Sequence, residues 1–224
     1  MTLNIKDKPK DGFERVVYAE EDKFNFYSVI AIHNTKRGPA LGGCRYFNYQ
    51  DFNKQEEDVL KLAEAMTYKN SLAELPFGGG KATIHSKINK KDAYSLFGEV
   101  LNKLNGTYIT AGDMGTVDED LRGFREYSDH VCNPIGSDSG LGTALGVYYS
   151  MLGCVEFKFG QDSLVNKNIF FKGYGKTGSR IASLCKKDGA NIEISDLEHK
   201  KDLIERDGYK FCRQLQDLSL IHIW

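Results

Sequence analysis

Two lysines raise the first chemical question in this sequence. Lys69 and Lys81 stand on either side of a Pro76-Phe77-Gly78-Gly79-Gly80 turn, in the stretch MTYKNSLAELPFGGGK at 66–81. Lys69 falls on a helical stripe with Leu62, Ala65, Met66, Leu72 and Ala73, whose spacing of three and four puts them on one face. A lysine on a buried face is costly unless an anion meets it. Lys81 follows three glycines, which let backbone and ligand approach closely. Two neighbouring ammonium groups lower each other's pKa, and desolvation lowers it further. A lysine in that setting can act as a base near neutral pH. In a plainer reading Lys69 snorkels to water and the glycines make an ordinary loop. These residues alone leave both readings open.

A second group of residues points to a dinucleotide. Gly173-Tyr174-Gly175-Lys176-Thr177-Gly178 is a G-x-G-x-x-G sequence. It follows a short strand pattern at 168–172 and runs into a helical pattern at 179–187. A second strand at 191–195 then ends at Asp196. The glycines alone are a weak signal; glycines in this order of elements, with an acid at this distance, are a strong one. Gly173 makes the turn, Gly175 lets the backbone reach a pyrophosphate, and Gly178 packs helix on strand. The helix start, with Lys176 and Thr177, attracts the phosphates. Asp196 would accept hydrogen bonds from the adenosine ribose, which favours NAD over NADP.

The elements that must position these groups alternate along the chain. Strand patterns cover 14–18 and the β-branched run at 27–33. Gly38-Pro39 and Gly42-Gly43 read as a turn before Arg45-Tyr46-Phe47. A helix should start at Asp51 or Asn53 and run to Glu74 before Pro76. A strand at 81–85, a helix at 92–104, a strand at 108–111 and a helix at 118–127 follow. Gly112-Asp113-Met114-Gly115 forms the loop after the strand at 108–111. The glycine- and serine-rich segment 136–142 reads as a hinge, with a helix from 143 to 157 beyond it. Strand and helix in alternation predict an α/β fold. An N-terminal α/β domain precedes a truncated Rossmann domain. Two clear strands and a third at 209–212 make only the adenine half of the usual pair.

Composition narrows the classes of function. The chain has 224 residues, 41% hydrophobic and 27% charged, with a net charge of −1. That balance suits a globular protein and gives no electrostatic case for nucleic acid or an anionic membrane. No apolar run is long enough for a membrane span, and the N-terminal segment lacks the apolar core of a signal peptide. The five cysteines are scattered with no C-x-x-C pair, so no metal site is expected and the thiols are read as reduced, in the cytoplasm. Residues 218–224, LSLIHIW, follow a polar segment without a turn signal and resemble the translation of a sequencing adapter. They are read as a non-native tail and the chain as a fragment. The expected units are a domain at 1–140, which the resemblance below implies to be the catalytic and oligomerisation domain, a partial NAD-binding domain at 141–217, and the tail at 218–224.

The motifs GPALGGCR at 38–45, MTYKNSLAELPFGGGK at 66–81, TAGDMGT at 110–116, GTALGV at 142–147 and the fingerprint at 173–178 resemble those of the glutamate/leucine/phenylalanine/valine dehydrogenase superfamily. The match covers nearly all of residues 12 to 200, and the leucine-acting branch fits best. The resemblance implies NAD-dependent oxidative deamination of an L-amino acid to a 2-oxo acid and ammonia. It also implies a catalytic domain facing a Rossmann domain across a cleft, in a homo-oligomer. Lys69 then resembles the lysine that holds the substrate carboxylate, with Leu41, Gly42 and Met66 beside it. Lys81 resembles the catalytic lysine that activates water, Asp113 the aspartate that exchanges a proton with the substrate nitrogen, and Thr143 a threonine near the nicotinamide. Taken alone, Asp113 reads as a helix cap or turn former. Glutamate-specific relatives carry a lysine where this chain has Leu41. An apolar position there implies an apolar substrate, since an unpaired buried carboxylate is expensive. Leucine, valine and isoleucine are expected first, phenylalanine or tryptophan next. A catalytically silent dinucleotide-binding or oligomerisation module is the non-enzyme alternative.

Overall fold

The β-branched run Val29-Ile30-Ala31-Ile32 lies inside a six-stranded sheet. The computed structural model describes residues 3–132 and 139–213. Within them the strands are β1 (Asn4–Lys8), β2 (Arg15–Glu21), β3 (Phe26–Asn34), β4 (Ala40–Phe47), β5 (Gly78–His85) and β6 (Tyr108–Gly112), in the order β1-β2-β3-β5-β4-β6. The pairs from β1 to β5 are antiparallel, and β5, β4 and β6 run parallel. Successive side chains point to opposite faces. Val17, Ile30, Ile32 and Ile84 join the larger apolar cluster with residues of α2 (Lys90–Leu104) and α3 (Asp118–Arg125). Val16, Tyr18, Val29 and Ala31 join a second cluster with Val59 and Ala63 of α1 (Phe52–Leu72). The sheet is therefore covered on both faces.

Three readings of this part change. Gly42 and Gly43 lie inside β4, and Gly78, Gly79 and Gly80 inside β5, rather than in turns. A Cβ on Gly42 would lie 1.7 Å from the carbonyl oxygen of Gly80, so close strand approach is what the glycine serves. Helix α1 starts after Asp51, whose side chain accepts from the Lys54 N–H as an N-cap. Its buried face is Gln55, Val59, Ala63 and Asn70, and Lys69 is exposed. The stripe through Leu62, Met66 and Lys69 is one residue out of step, about 100° round the helix. Polar residues take the ends of the buried face because strand groups receive them. Asn70 donates to the Gly78 carbonyl at 2.6 Å, and Gln55 to the Thr83 hydroxyl at 3.1 Å. Strand β1 has no counterpart in the sequence reading. Its residues NIKDK are mostly polar and exposed, and backbone pairing to β2 defines it.

The chain divides into two compact units, Met1–Ile135 and Gly136–Trp224. The second contains α4 (Ser139–Phe159), β7 (Asn168–Lys172), α5 (Lys176–Lys187), β8 (Asn191–Ser195), α6 (Lys201–Arg206) and β9 (Lys210–Phe211). Its three strands are parallel in the order β7-β8-β9. Ile181 and Cys185 of α5 pack with Val155 of α4 and Ile169 of β7. The segment read as a hinge at 136–142 is helical from Ser139, and residues 136–138 lie outside the described residues. Helix α5 begins three residues earlier than its pattern suggested, so Lys176, Thr177 and Gly178 form its first turn. The tail at 218–224 lies outside the described residues. Among the described residues no helix is long and apolar enough to cross a membrane.

Candidate active site

Alternation along β5 puts Lys81 and Thr83 on the face that α1 covers, since Ala82 and Ile84 enter the opposite cluster. On β4 the same rule sets Leu41 and Arg45 against Ala40 and Cys44, which are in that opposite cluster. Asp113 follows the last residue of β6, at the C-terminal end of a strand paired with β4. These neighbours meet in one ionic chain. Lys81 Nζ lies 3.1 Å from Asp113 Oδ2. Arg45 Nε donates to the same oxygen at 2.8 Å. Arg45 Nη1 reaches both oxygens of Asp58 on α1, at 3.0 and 2.8 Å, and the Tyr49 hydroxyl donates to Asp58 at 2.7 Å. Thr116 pins the loop: its hydroxyl accepts from the Asp113 N–H and donates to the Cys44 carbonyl, both at 2.8 Å.

The electrostatics follow from this packing. The Lys81 side chain is 6% exposed. Burial pushes its ammonium below the ordinary lysine range; Asp113 pulls it back up, and Arg45 pushes it further down. Burial pushes the Asp113 carboxyl up, but Lys81 and Arg45 together hold it below the usual carboxylate range. The cation that acts on Lys81 is therefore Arg45, and the expected partnership with Lys69 is replaced by it. Burial also pushes the Cys44 thiol well above its ordinary value, so it stays a thiol beside this pair. Arg45 and Lys81 both contact Asp113 Oδ2, and neither of these contacts is to Oδ1.

The other named residues are placed as follows. Met66 and Leu41 are half-buried, and Gly42 is buried with its carbonyl accepting from the Tyr108 hydroxyl at 2.7 Å. Lys69 is exposed in the last turn of α1. Thr143 is exposed near the start of α4. In the second unit Gly173 has φ of +106°, and its N–H donates to the Ser195 carbonyl at 2.7 Å. Gly175 is the N-cap of α5. A Cβ on Gly178 would lie 2.4 Å from the Gly173 carbonyl oxygen, whereas Cβ atoms on Gly173 and Gly175 would meet nothing within 4 Å. The turn thus closes tightly at Gly178 and stays open at Gly173 and Gly175. Asp196 accepts from the Tyr174 N–H at 2.5 Å, the Leu197 N–H at 2.6 Å and Lys200 Nζ at 3.0 Å. Burial pushes its carboxyl up, and these donors outweigh that and hold it below the usual range.

Sequence reasoning assigned no role to Arg45, Asp58, Tyr49, Thr116 or Lys200. Arg45 ended a quoted motif, and its strand parity with Leu41 was the available signal. Asp58 and Tyr49 join the chain only through the tertiary fold.

The model of the Glu/Leu/Phe/Val dehydrogenase dimerisation domain matches residues 14–129. A phenylalanine dehydrogenase of Thermoactinomyces intermedius is 37% identical over 219 residues, covering 94% of this chain and 60% of the relative. A leucine dehydrogenase of Bacillus subtilis is also 37% identical, over 201 residues, covering 86% of this chain and 55% of the relative. The chain thus spans little more than half the length of these relatives. The crystal structure of an L-tryptophan dehydrogenase from Nostoc punctiforme superposes with a TM-score of 0.65 at 26% identity, covering 90% of this chain and 59% of that one. A glutamate dehydrogenase from Thermus thermophilus reaches the same TM-score of 0.65 at 18% identity, a likeness of fold. By the family model over its first unit and by these relatives, the chain belongs to the Glu/Leu/Phe/Val dehydrogenase family.

Proposed function

We propose that the protein carrying this sequence oxidatively deaminates an apolar L-amino acid to its 2-oxo acid and ammonia, with NAD as acceptor. The observation that carries the reading is the 3.1 Å contact between buried Lys81 and half-buried Asp113, in a chain whose glycine-rich turn leaves open space at Gly173 and Gly175. Residues 1–140 form the catalytic and oligomerisation part, and 141–217 one half of a Rossmann domain. Gly173, Gly175, Lys176, Thr177 and Gly178 would hold the pyrophosphate, Asp196 the adenosine ribose, and Thr143 the nicotinamide side. The fit rests on the open space above Gly173 and Gly175 and on the N-terminus of α5. When bound, NAD supplies the acceptor for the hydride on the substrate α-carbon.

This chain's own residues handle the protons. Lys69, exposed at the end of α1, binds the substrate carboxylate, with Leu41, Gly42 and Met66 beside it. Asp113 takes a proton from the substrate ammonium at Oδ1, so that the α-carbon bears a neutral amine before it is oxidised. Lys81, held low by burial, takes a proton from water as that oxygen bonds to the imine carbon. Asp113 returns a proton to the nitrogen. As the carbon–nitrogen bond breaks, the hydroxyl oxygen forms the carbonyl and its proton passes to the departing ammonia, and Lys81 releases its proton to solvent. Because the two groups share one oxygen contact, they titrate as a pair. Loss of the Lys81 proton raises the proton affinity of Asp113, which suits a carboxylate that must take and return a proton.

An apolar substrate follows from Leu41, and branched-chain amino acids are favoured. An aromatic substrate is the second reading, favoured by 37% identity to a phenylalanine dehydrogenase, equal to that with a leucine dehydrogenase. Steady-state kinetics with leucine, valine, isoleucine, phenylalanine, tryptophan and glutamate test both. An apolar substrate should exceed glutamate by at least ~100-fold in kcat/KM, since a buried unpaired charge costs several kcal/mol. Comparable rates on glutamate would defeat the assignment of Leu41.

A further inference from the structure

The adenosine end of the cradle carries a cation that the acid-for-ribose rule does not anticipate. Asp196 directly follows β8, where a carboxylate normally meets ribose hydroxyls and repels a 2′-phosphate. Here its side chain is only 9% exposed, while that of Lys200 is 30% exposed. Lys200 Nζ sits 3.0 Å from Asp196 Oδ2 and 3.3 Å from the carbonyl of Tyr174, the second residue of the glycine-rich turn. The ammonium therefore links Asp196 to the glycine-rich turn. Asp196 Oδ2 is taken by Lys200 and the Tyr174 N–H, and Oδ1 accepts from the Leu197 N–H. The nearby Glu198 is neutralised by Arg213 at 2.8 Å. Of the Asp196–Lys200 pair, the more exposed charge at this end is thus positive.

We propose that Lys200 makes this site accept a 2′-phosphate, so that the chain binds NADP about as readily as NAD. The inference rests on the dinucleotide reading above and refines which dinucleotide it takes. A 2′-phosphate that approaches Asp196 meets the ammonium first, and charge-assisted hydrogen bonding offsets the repulsion from the carboxylate. Asp196 keeps a lone pair on Oδ1 for an unphosphorylated ribose, so NAD is not excluded.

The test is direct binding, by calorimetry, of 5′-AMP and adenosine 2′,5′-bisphosphate to this chain. The two affinities should lie within about fivefold of each other, because one added cation cancels one added repulsion. Lys200→Ala should weaken the bisphosphate by ~10-fold and move 5′-AMP by less than about twofold, the loss expected for one charge-assisted contact. Lys200→Arg should keep both. The retained 5′-AMP binding shows that the Lys200→Ala protein is folded. If the unaltered chain binds 5′-AMP but rejects the bisphosphate by more than about 50-fold, the proposal is overturned and the dinucleotide site stands. Equal weakening of both ligands in Lys200→Ala also overturns it, because Lys200 would then only hold the loop. If neither ligand binds, the dinucleotide reading falls and takes the proposal with it.

Discussion

A Cβ on Gly42 would lie 1.7 Å from the Gly80 carbonyl oxygen, and a Cβ on Gly175 would meet nothing within 4 Å. Both glycines sit in motifs tied to chemistry, one in each unit. In the first unit the glycine lets the protein touch itself. Strands β4 and β5 close, and the charges near them find partners within the fold: Lys81 has Asp113, Asp113 has Arg45, Arg45 has Asp58. In the second unit the glycine leaves room that the described residues do not fill. The first unit is built to tune side chains, and the second to present backbone. A catalytic group needs a shifted pKa, which only surrounding protein can supply. A phosphate needs N–H groups and space, which a short local sequence can supply.

The largest expected effect separates the two roles outright. Lys81→Ala should lower kcat by ~10²–10⁴, the usual worth of a general acid–base. Binding of 5′-AMP should stay the same, because the cradle lies in the other unit. Steady-state kinetics of the protein that carries this sequence, paired with calorimetry, read both. A kcat loss under about tenfold would remove Lys81 from its role.

The paired glycine substitutions sharpen the contrast next. Gly42→Ala should cost unit 1 at least about 3 kcal/mol, because neither backbone segment can give way by the distance required. Gly175→Ala should change stability by under about 0.5 kcal/mol, since its φ of −95° suits alanine and its Cβ meets no protein atom. The same change should weaken 5′-AMP by roughly tenfold, as the methyl group enters the phosphate's space. Urea unfolding and calorimetry measure the two halves. Similar stability losses in both variants would erase the distinction.

The same contrast explains what the sequence made legible. Strands at 168–172 and 191–195 were readable to the residue, because pattern, fingerprint and acid are all local. Lys81 and Asp113 were named, and they do meet. The spacing leaves Lys69 either on a buried stripe or snorkelling to water, and it is exposed, because the partner sheet chooses which face of α1 it covers. That face holds Gln55 and Asn70, which no apolar pattern identifies. The glycines of β4 and β5 read as turns, since glycine usually breaks a strand. Only the neighbouring strand reveals that they are required for approach. Arg45 and Asp113 lie 68 residues apart in sequence and bond through the fold alone.

Arg45→Gln probes the tuning itself. It removes one cause that lowers Lys81 and one that lowers Asp113, so both pKa values should rise. Lys81 works as a base when deprotonated, so the rising limb of kcat/KM should move to higher pH. Asp113 has a folded pKa below its unfolded value. Its stabilising contribution is present above the ordinary carboxylate value near 4 and is lost as pH falls through the folded value. With the folded value raised, the unfolded-to-folded gap narrows and the acid-sensitive part of stability shrinks. Thermal melts between about pH 2 and 6 and a pH–rate profile check both shifts. The variant should also lose about 2 kcal/mol at neutral pH, from two severed charge-assisted contacts. A stability loss with no movement of the pH–rate profile would make Arg45 a structural residue only.

Tyr49→Phe makes the smallest and most discriminating cut. The Tyr49 hydroxyl donates to Asp58 Oδ2 at 2.7 Å, and it touches neither Lys81 nor Asp113. Asp58 keeps both of its contacts from Arg45 in the variant. The expected loss is therefore about 1 kcal/mol of stability, one hydrogen bond with the partner still satisfied. Two outcomes are possible for the chemistry. If the ionic chain acts as one network, weakening the Asp58 end lets Arg45 shift, and the pH–rate profile should move in the direction of Arg45→Gln by a smaller amount. If Arg45 is held by its fork alone, the profile should stay fixed while stability falls. The fork has three short contacts against one from the hydroxyl, at 2.8 Å to Asp113 and 3.0 and 2.8 Å to Asp58. Contacts from two guanidinium nitrogens, Nε to Asp113 and Nη1 to Asp58, fix both position and plane. The profile is therefore expected to stay fixed. A double-mutant cycle of Tyr49→Phe with Arg45→Gln measures the coupling, which should fall under about 0.5 kcal/mol if the fork alone holds Arg45.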